Sequence, residues 1–404
     1  MKLQGTYNSA LVFTDNLEDG AREQIIELLN QDFIAESKVR IMPDVHQGMG
    51  CVIGFTADMG DKVIPNIVGV DIGCGMLTIE LGNVDIDLPT LDGIINRGIP
   101  SGRATHNKRK FRFDRLDDLH CFRDLRNTKR IERSVGTLGG GNHFIELGED
   151  ESGSKWLVIH SGSRNLGKQV AEIYQRLAVD LCSGKEEYFI KKEEIITEYK
   201  SAGKRKEIKG ALDRLAKEYA GLKPRYPKAL CYLTGEYRKK YLHDMGICQD
   251  YASINREKMA EIILNDLFGK GLKDFNHFET IHNYINFKDN IIRKGAIAAY
   301  ENERVLIPIN MRDGSIIGVG RGNPEWNYSA PHGAGRLMSR TVARRAITME
   351  EFEGSMAGIY STSINRSTLD EAPLAYKPME EILENIRETV DVIGIIKPIY
   401  NYKA

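Results

Sequence analysis

Apolar residues along this chain fall into short runs broken by glycine, proline and aspartate, with helical spacing between the runs. Residues 21–29 have the spacing of a short amphipathic helix. A short apolar strand from Val39 runs into a turn that holds Asp44 and His46. Two strand-like runs between 63 and 80 flank the turn Asp71-Ile-Gly-Cys74-Gly. The glycine-rich stretch 136–141 feeds another apolar strand through Asn142, His143 and Glu146. The run Trp156-Leu-Val-Ile ends at His160, and a helix with Val170, Ile173, Tyr174 and Leu177 on its apolar side is expected next. Lysine and glutamate dominate 183–225, the pattern of a protruding helical hairpin. Packed helices are expected over 226–268, with Ala252, Met259, Ile262, Ile263 and Leu267 in the core and Asn255 and Arg256 as polar interruptions. Strand character returns around His282 and Asn283, over 296–308 and over 316–320. A helix is then expected from about 378 to 393, with Ile382, Ile386 and Val390 on one face. There is no internal repeat, and the candidate chemistry spans positions 44 to 403, so one compact domain, 1–404, is the economical arrangement.

Composition narrows the class without naming a partner. Lysine and arginine number 56 against 57 aspartates and glutamates, so a polyanion site must come from local clustering. Such a cluster lies at 103–133, where Phe111, Phe113 and Phe122 interleave with the basic residues. Two readings stand there: a groove for single-stranded nucleic acid with stacking aromatics, or a solvated helix face laced with ion pairs. The six cysteines are spread singly, which excludes a disulfide framework and a four-cysteine zinc knuckle. No apolar run reaches membrane-spanning length and the N-terminus has no secretory apolar region, so a soluble cytoplasmic protein is expected.

The residues with chemistry to offer sit in the turns. Asp71 and Cys74 give a hard and a soft ligand three positions apart, although a structural cysteine in a β-turn reads equally well from that segment alone. Adding His143, His160 and His282 gives three imidazoles, a thiolate and a carboxylate, more than one tetrahedral ion needs and suited to two ions sharing the thiolate. Metal identity is not readable from these ligands. His332 stands in Pro331-His-Gly-Ala-Gly-Arg336, with Arg340 four residues on. If a helix begins at Gly335, its N-terminus and the two arginines form an anion site beside an imidazole able to attack phosphorus; otherwise the segment is a capping turn. Asp44 could orient such an imidazole or cap its own turn. The glycines at 136–141 suit a phosphate nest, but neither a P-loop nor a dinucleotide fingerprint is present.

Five motifs, Pro43-Asp-Val-His-Gln-Gly-Met-Gly, Gly69-Val-Asp-Ile-Gly-Cys-Gly, Gly139-Gly-Gly-Asn-His-Phe, His160-Ser-Gly-Ser-Arg and His332-Gly-Ala-Gly-Arg, resemble in content and order those of the RtcB family of RNA-splicing ligases. The resemblance implies an α+β fold with central β-sheets and surrounding helices. It also implies an enzyme that uses GTP and two Mn²⁺ ions to join RNA 3′-phosphate or 2′,3′-cyclic phosphate ends to 5′-hydroxyl ends. By that resemblance His332 takes GMP covalently, Asp44 holds its ring, and Cys74 bridges one ion held by Asp71 and His143 and another held by His160 and His282. The nucleotide would lie against Asn142, His143, Phe144, Ile145, Glu146, His282, Asn283, Pro308, Ile309, Asn310, Met311, Ser315, Gly333, Ala334, Gly335 and Lys403. Arg164, with Arg336 and Arg340, would hold RNA or phosphate. The implied setting is a monomer, with an archease-like activator as candidate partner. The chain departs from the family at Pro308-Ile-Asn-Met-Arg312, where Pro-Gly-Ser-Met-Gly is usual, and at Lys403-Ala404, where Lys-Gly is typical.

Overall fold

The strand-like runs pair across long sequence distances, because each has one face that only another strand or a helix can cover. The computed structural model describes residues 1–403. Its larger sheet has seven strands in the order Arg304–Asn310, Gly314–Gly320, Val390–Lys403, Phe144–Glu149, Lys155–Ser161, Gly75–Gly82 and Asn276–Ile281. Every neighbouring pair is antiparallel. One face carries Leu77, Ile79, Ile145, Leu157 and Ile159 against Met259, Ala260, Ile263 and Leu264 of the 34-residue helix Gly235–Phe268. The other face carries Met76, Phe144, Trp156 and Val158 against Leu306, Ile317 and Ile396. The sheet therefore curls until its two edge strands approach each other.

Register decides where the chemistry collects. Gly75 lies opposite both Ser161 and Ile281, and His160 lies opposite Phe144. In an antiparallel sheet the start of one strand adjoins the end of the next. Cys74 and His143, just before their strands, thus share one rim with His160 and His282, at the ends of theirs. His282 is also the single residue between the strands Asn276–Ile281 and Asn283–Ile285, so it joins the larger sheet to the smaller one. That second sheet has the order Lys2–Gln4, Ser9–Val12, Val39–His46, Ile53–Asp58, Ile291–Lys294, Asn283–Ile285. Asp44 lies in its third strand, where the pairing shifts register between Ile41 and His46. The short pair Ala296–Ala298 and Ser329–Pro331 delivers His332 to the same place.

Several expectations from periodicity change in the folded chain. The helix expected over 378–393 runs only over Met379–Asn385, and Val390 opens the strand Val390–Lys403. Ile382, Ile386 and Val390 are buried together, but the β-branched run after Thr389 pairs with Gly314–Gly320, and that pairing overrides the helical spacing. No helix begins at Gly335: Arg336 bridges to Tyr376, and the next helix is Arg340–Ala346, capped by Ser339. Residues 103–133 form tight 3₁₀ turns at Leu116–Asp118 and Phe122–Asp124 and a short helix Thr128–Glu132. Phe113 is buried and Phe111 and Phe122 pack against the same cluster, so these aromatics serve the core and do not form a stacking surface. The charged stretch 183–225 contains the paired helices Glu186–Ser201 and Ile208–Glu218, which bury only Ala211 and Leu215. Met259 and Ile263 of the long helix are buried and Ile262 and Leu267 partly so, while Asn255 and Arg256 are fully buried polar residues.

Candidate metal and nucleotide site

Five donors from four turns meet at the rim. Cys74 Sγ lies 3.4 Å from His143 Nε2 and 3.3 Å from His160 Nε2. His143 Nε2 is 3.0 Å from Asp71 Oδ2, and His160 Nε2 is 3.4 Å from His282 Nε2. The donor atoms form two overlapping triads, Asp71–Cys74–His143 and Cys74–His160–His282, each with its atoms within 4.8 Å of one another. Cys74 belongs to both.

The tautomers explain why this arrangement suits cations. His143 donates Nδ1–H to Leu138 O at 2.9 Å, and His160 donates Nδ1–H to Asn142 O at 3.1 Å. Each neutral ring therefore carries its lone pair at Nε2. Burial drives His160 and His282 well below the usual histidine range, with neighbouring imidazoles adding to the effect, so these rings are neutral. Burial and the Asp71 charge push the Cys74 thiol well above its ordinary value. Burial alone would raise Asp71 too, but its contacts with His143 and Cys74 and the nearby Arg164 charge hold its carboxyl low. The cluster thus holds more acceptors than protons to share among them, which is the chemistry of a cation site.

A second layer fixes the turns that carry the ligands. Arg256 is fully buried; it pairs with Glu279 at 2.9 Å and donates to Gly73 O at 2.9 Å and Ser161 O at 2.8 Å. Asn255 accepts from the Gly136 and Thr137 amides and donates to Thr137 O and Ser161 Oγ. Sequence reasoning gave these two no site role. The available signal was a pair of polar residues on an otherwise apolar helix face, where burial requires hydrogen-bond partners.

His332 stands beside the cluster, its ring centroid 4.8 Å from that of His282. Its Nδ1–H donates to Asp44 Oδ2 at 2.6 Å, and its backbone N–H donates to the same oxygen at 3.1 Å. Asp44 is completely buried, so Nδ1 is held protonated and Nε2 keeps its lone pair. Gly335, at φ +77°, is required here because a Cβ would come within 2.5 Å of Asp44 O.

His332 opens onto a cavity of about 360 Å³. Asn142, Phe144, Glu146, His160, Pro308, Ile309, Asn310, Met311, Gly333, Ala334, Gly335, Arg336, Arg340 and Lys403 line it, together with His46, Glu371, Tyr376 and Asn401, which sequence reasoning did not assign. Asn401 lies opposite Glu146 in the sheet and donates to its Oε2 at 2.9 Å. Burial raises the Glu146 carboxyl to about 8 against the opposing pull of Asn401 and Lys403. Burial likewise lowers His46.

Six predicted contacts lie off this cavity, two of them, His143 and His282, as members of the rim cluster. Ile145 faces the helix-side core, and Ser315 is buried opposite Pro308. Asn283 donates to Asp71 O at 3.2 Å and accepts from the Gly295 amide at 3.0 Å. Arg164, at φ +57°, reaches Thr137 Oγ1 at 3.3 Å and Gly102 O at 3.4 Å behind Asp71. Arg336 and Arg340 reach the cavity wall already paired: Arg340 lies 2.9 Å from both Asp370 and Glu371, and Arg336 donates to Tyr376 and to the Asp370 carbonyl. Lys403 pairs with Glu371 at 2.8 Å.

Sequence comparison converges with this geometry. A family model described as tRNA-splicing ligase RtcB matches residues 24–124 and 121–404. RNA-splicing ligase RtcB of Escherichia coli (strain K12) is 28% identical over 423 residues, covering 96% of this chain and 95% of that protein. The similarity to RNA-splicing ligase RtcB1 of another E. coli strain is 29% over the same length. tRNA-splicing ligase RtcB of Aeropyrum pernix is 25% identical over 435 residues, covering 85% of this chain and 83% of that protein. Since the match includes the turns bearing Asp44, the five rim donors and His332, and extends over nearly the whole sequence, the chain belongs to the RtcB family.

Proposed function

We propose that this chain is a GTP- and Mn²⁺-dependent RNA ligase that seals 3′-phosphate or 2′,3′-cyclic phosphate ends to 5′-hydroxyl ends. One observation carries the reading: His332, its Nδ1–H tied to buried Asp44, keeps a free Nε2 lone pair on a cavity beside the five-donor cluster. Relatives named as RNA-splicing and tRNA-splicing ligases support the substrate class.

His332 Nε2 attacks the α-phosphorus of GTP, forming a P–N bond as the α–β P–O bond breaks and pyrophosphate leaves. An oxygen of the RNA 3′-phosphate then attacks that phosphorus, the P–N bond breaks, and GMP passes to the RNA end. The 5′-hydroxyl finally attacks the 3′-phosphorus and expels GMP. Asp44 keeps Nδ1 protonated throughout and spreads the positive charge that grows on the ring. The donor set fits divalent ions: Asp71, Cys74 and His143 would hold one, and Cys74, His160 and His282 another. Bound there, such ions supply charge neutralisation at phosphoryl oxygens. Asn142, Phe144, Glu146 and Lys403 would frame the nucleotide. At the departures from the family in 308–312, Ile309 lines the cavity while packing into an apolar cluster, and Arg312 pairs with Asp313 at 2.7 Å.

The proposal extends to a single-domain protein working as a cytoplasmic monomer, with an archease-like activator as its candidate partner. Among the described residues no helix is long and apolar enough to cross a membrane. The test is incubation with α-labelled GTP and Mn²⁺. Wild type should acquire covalent label and His332→Ala should not; equal labelling of the two, or no label on wild type, would refute the mechanism. Supplying a cyclic-phosphate RNA with a 5′-hydroxyl RNA and resolving the joined product separates strand sealing from mere processing of ends.

A further inference from the structure

The basic segment leaves one feature that phosphoryl transfer does not use. Two imidazoles meet on the surface where its 3₁₀ turns cross the long helix: His120, between the turns Leu116–Asp118 and Phe122–Asp124, and His243, on Gly235–Phe268. Their ring centroids are 4.8 Å apart. Beneath them lies Asp244, whose side chain is fully buried while that of His243 is 42% exposed.

The hydrogen bonds of Asp244 show which lone pair is left for the imidazoles. A carboxylate offers about four lone-pair directions. Three are taken by fixed donors: the His120 amide to Oδ1 at 2.9 Å, the Cys121 amide to Oδ2 at 3.0 Å, and the Tyr174 hydroxyl to Oδ2 at 2.8 Å. The fourth, on Oδ1, faces His243 Nδ1 at 3.0 Å. One ring nitrogen of each histidine and this carboxylate oxygen lie within 4.8 Å of one another. A buried carboxylate locked by three donors and turned toward two surface imidazoles is a preorganised ligand set, and the exposed rings need to close by only about 1 Å to share an ion.

The geometry points to a second metal site, held by His120, His243 and Asp244, for a borderline divalent ion of the Zn²⁺ class with water completing its shell. Two imidazoles and one carboxylate favour zinc over calcium or magnesium, which prefer all-oxygen shells. The ion's role is structural. It would fasten the basic turns to the helix that, about three turns further on, carries Asn255 and Arg256 beneath the central cluster. This site is independent of the proposed ligase reaction, since none of its ligands lines the cavity at His332.

Equilibrium dialysis of the full chain against Zn²⁺, with metal per chain counted by atomic emission, tests the assignment. His120→Ala and His243→Ala should each retain about one Zn²⁺ fewer than wild type, whereas Cys74→Ala, which disrupts only the central cluster, should keep the peripheral ion. His120 is exposed, so metal-free His120→Ala should melt like wild type, whereas His243→Ala loses a hydrogen bond to buried Asp244 and is compared with its own metal-free form. As a second readout, Zn²⁺ should raise the Tm of Cys74→Ala, and adding His243→Ala should abolish that rise. Unchanged zinc stoichiometry in both histidine variants, or a zinc-induced Tm shift that survives His243→Ala, would overturn the site.

Discussion

The cavity at His332 is backed by two unlike walls, of which the rim side reaches the lumen through His160. On the rim side, His143, His160, His282, Cys74 and Asp71 turn acceptors toward one another with too few protons between them. On the opposite side, Arg336, Arg340 and Lys403 are cations already answered by Asp370 and Glu371, both nearly inaccessible to solvent. The first wall is built to receive positive charge. The second is internally neutralised, so an incoming phosphate must compete with two resident carboxylates for the same guanidinium and ammonium groups. A cluster of basic residues in sequence is therefore a weaker sign of an anion site than converging imidazoles are of a metal site.

The largest effect expected on the rim wall comes from Cys74→Ala. Its sulfur belongs to both triads, so its loss should lower divalent-ion affinity by more than about 100-fold, beyond the usual cost of losing an outer-shell partner, and abolish guanylylation. Metal titration of the variant should find no tight ion in the central cluster. Two tightly bound ions there would remove the shared-ligand reading. Because thiol and imidazole ligands must be deprotonated, metal binding should also weaken as the pH falls.

Next in size is Arg256→Leu. The guanidinium is fully buried and holds Glu279, Gly73 O and Ser161 O in place. Removing one partner of a buried pair costs about 4 kcal/mol, read as a lowered denaturation midpoint. The carbonyls it releases belong to the turns of Cys74 and His160, so metal affinity should fall with stability. A variant that loses stability but keeps full metal affinity would show that this layer does not position the ligands.

Glu371→Gln probes the other wall. Burial would raise the Glu371 carboxyl, but the charges of Lys403 and Arg340 overcome it and hold the group below its ordinary value. A carboxyl depressed in the folded state stabilises the protein above its unfolded pKa, near 4.5, and loses that contribution as the pH falls through the folded value. The variant should be about 2 kcal/mol less stable at neutral pH and should lack part of the acid-side decline of wild type. It should also bind inorganic pyrophosphate more tightly, because Lys403 is released and Arg340 keeps only Asp370. Unchanged pyrophosphate affinity would mean that the carboxylates do not compete. Glu146 has the opposite sign. Its folded value is raised to about 8, so its burial costs stability increasingly as the pH climbs from 4.5 toward 8, and Glu146→Gln should relieve that cost in mild base.

These two walls were unequally legible in the sequence. Each rim donor sits within a residue or two of a strand end or in a glycine turn, signals local enough to read directly, and antiparallel register brings those ends to one rim. The arginine wall depends on Asp370 and Glu371, some thirty residues downstream, in a 3₁₀ turn with no periodic signal. Spacing alone left a helix start at Gly335 open beside a capping turn, and it carried the helix at 378 through Val390 because strand pairing with Gly314–Gly320 is non-local. Asn255 and Arg256 stood out as polar residues in an apolar helix, but their partners at 73, 137 and 161 appear only in three dimensions.

The smallest effect expected distinguishes wall geometry from wall charge. Ser339 caps the helix Arg340–Ala346 by accepting the Val342 N–H at 3.3 Å, and Arg340 and Arg344 of that helix both reach Asp370. Ser339→Ala removes the cap at a cost of about 1 kcal/mol without altering any charge, and Ser339→Thr should restore most of it. The first turn should then fray, loosening Arg340 from its carboxylates while leaving the rim donors untouched. Chemical denaturation should register the small loss, and metal titration should give the wild-type affinity. Should Ser339→Ala weaken metal binding as much as stability, the two walls would be one cooperative unit, and the division between a receiving face and a neutralised face would fail.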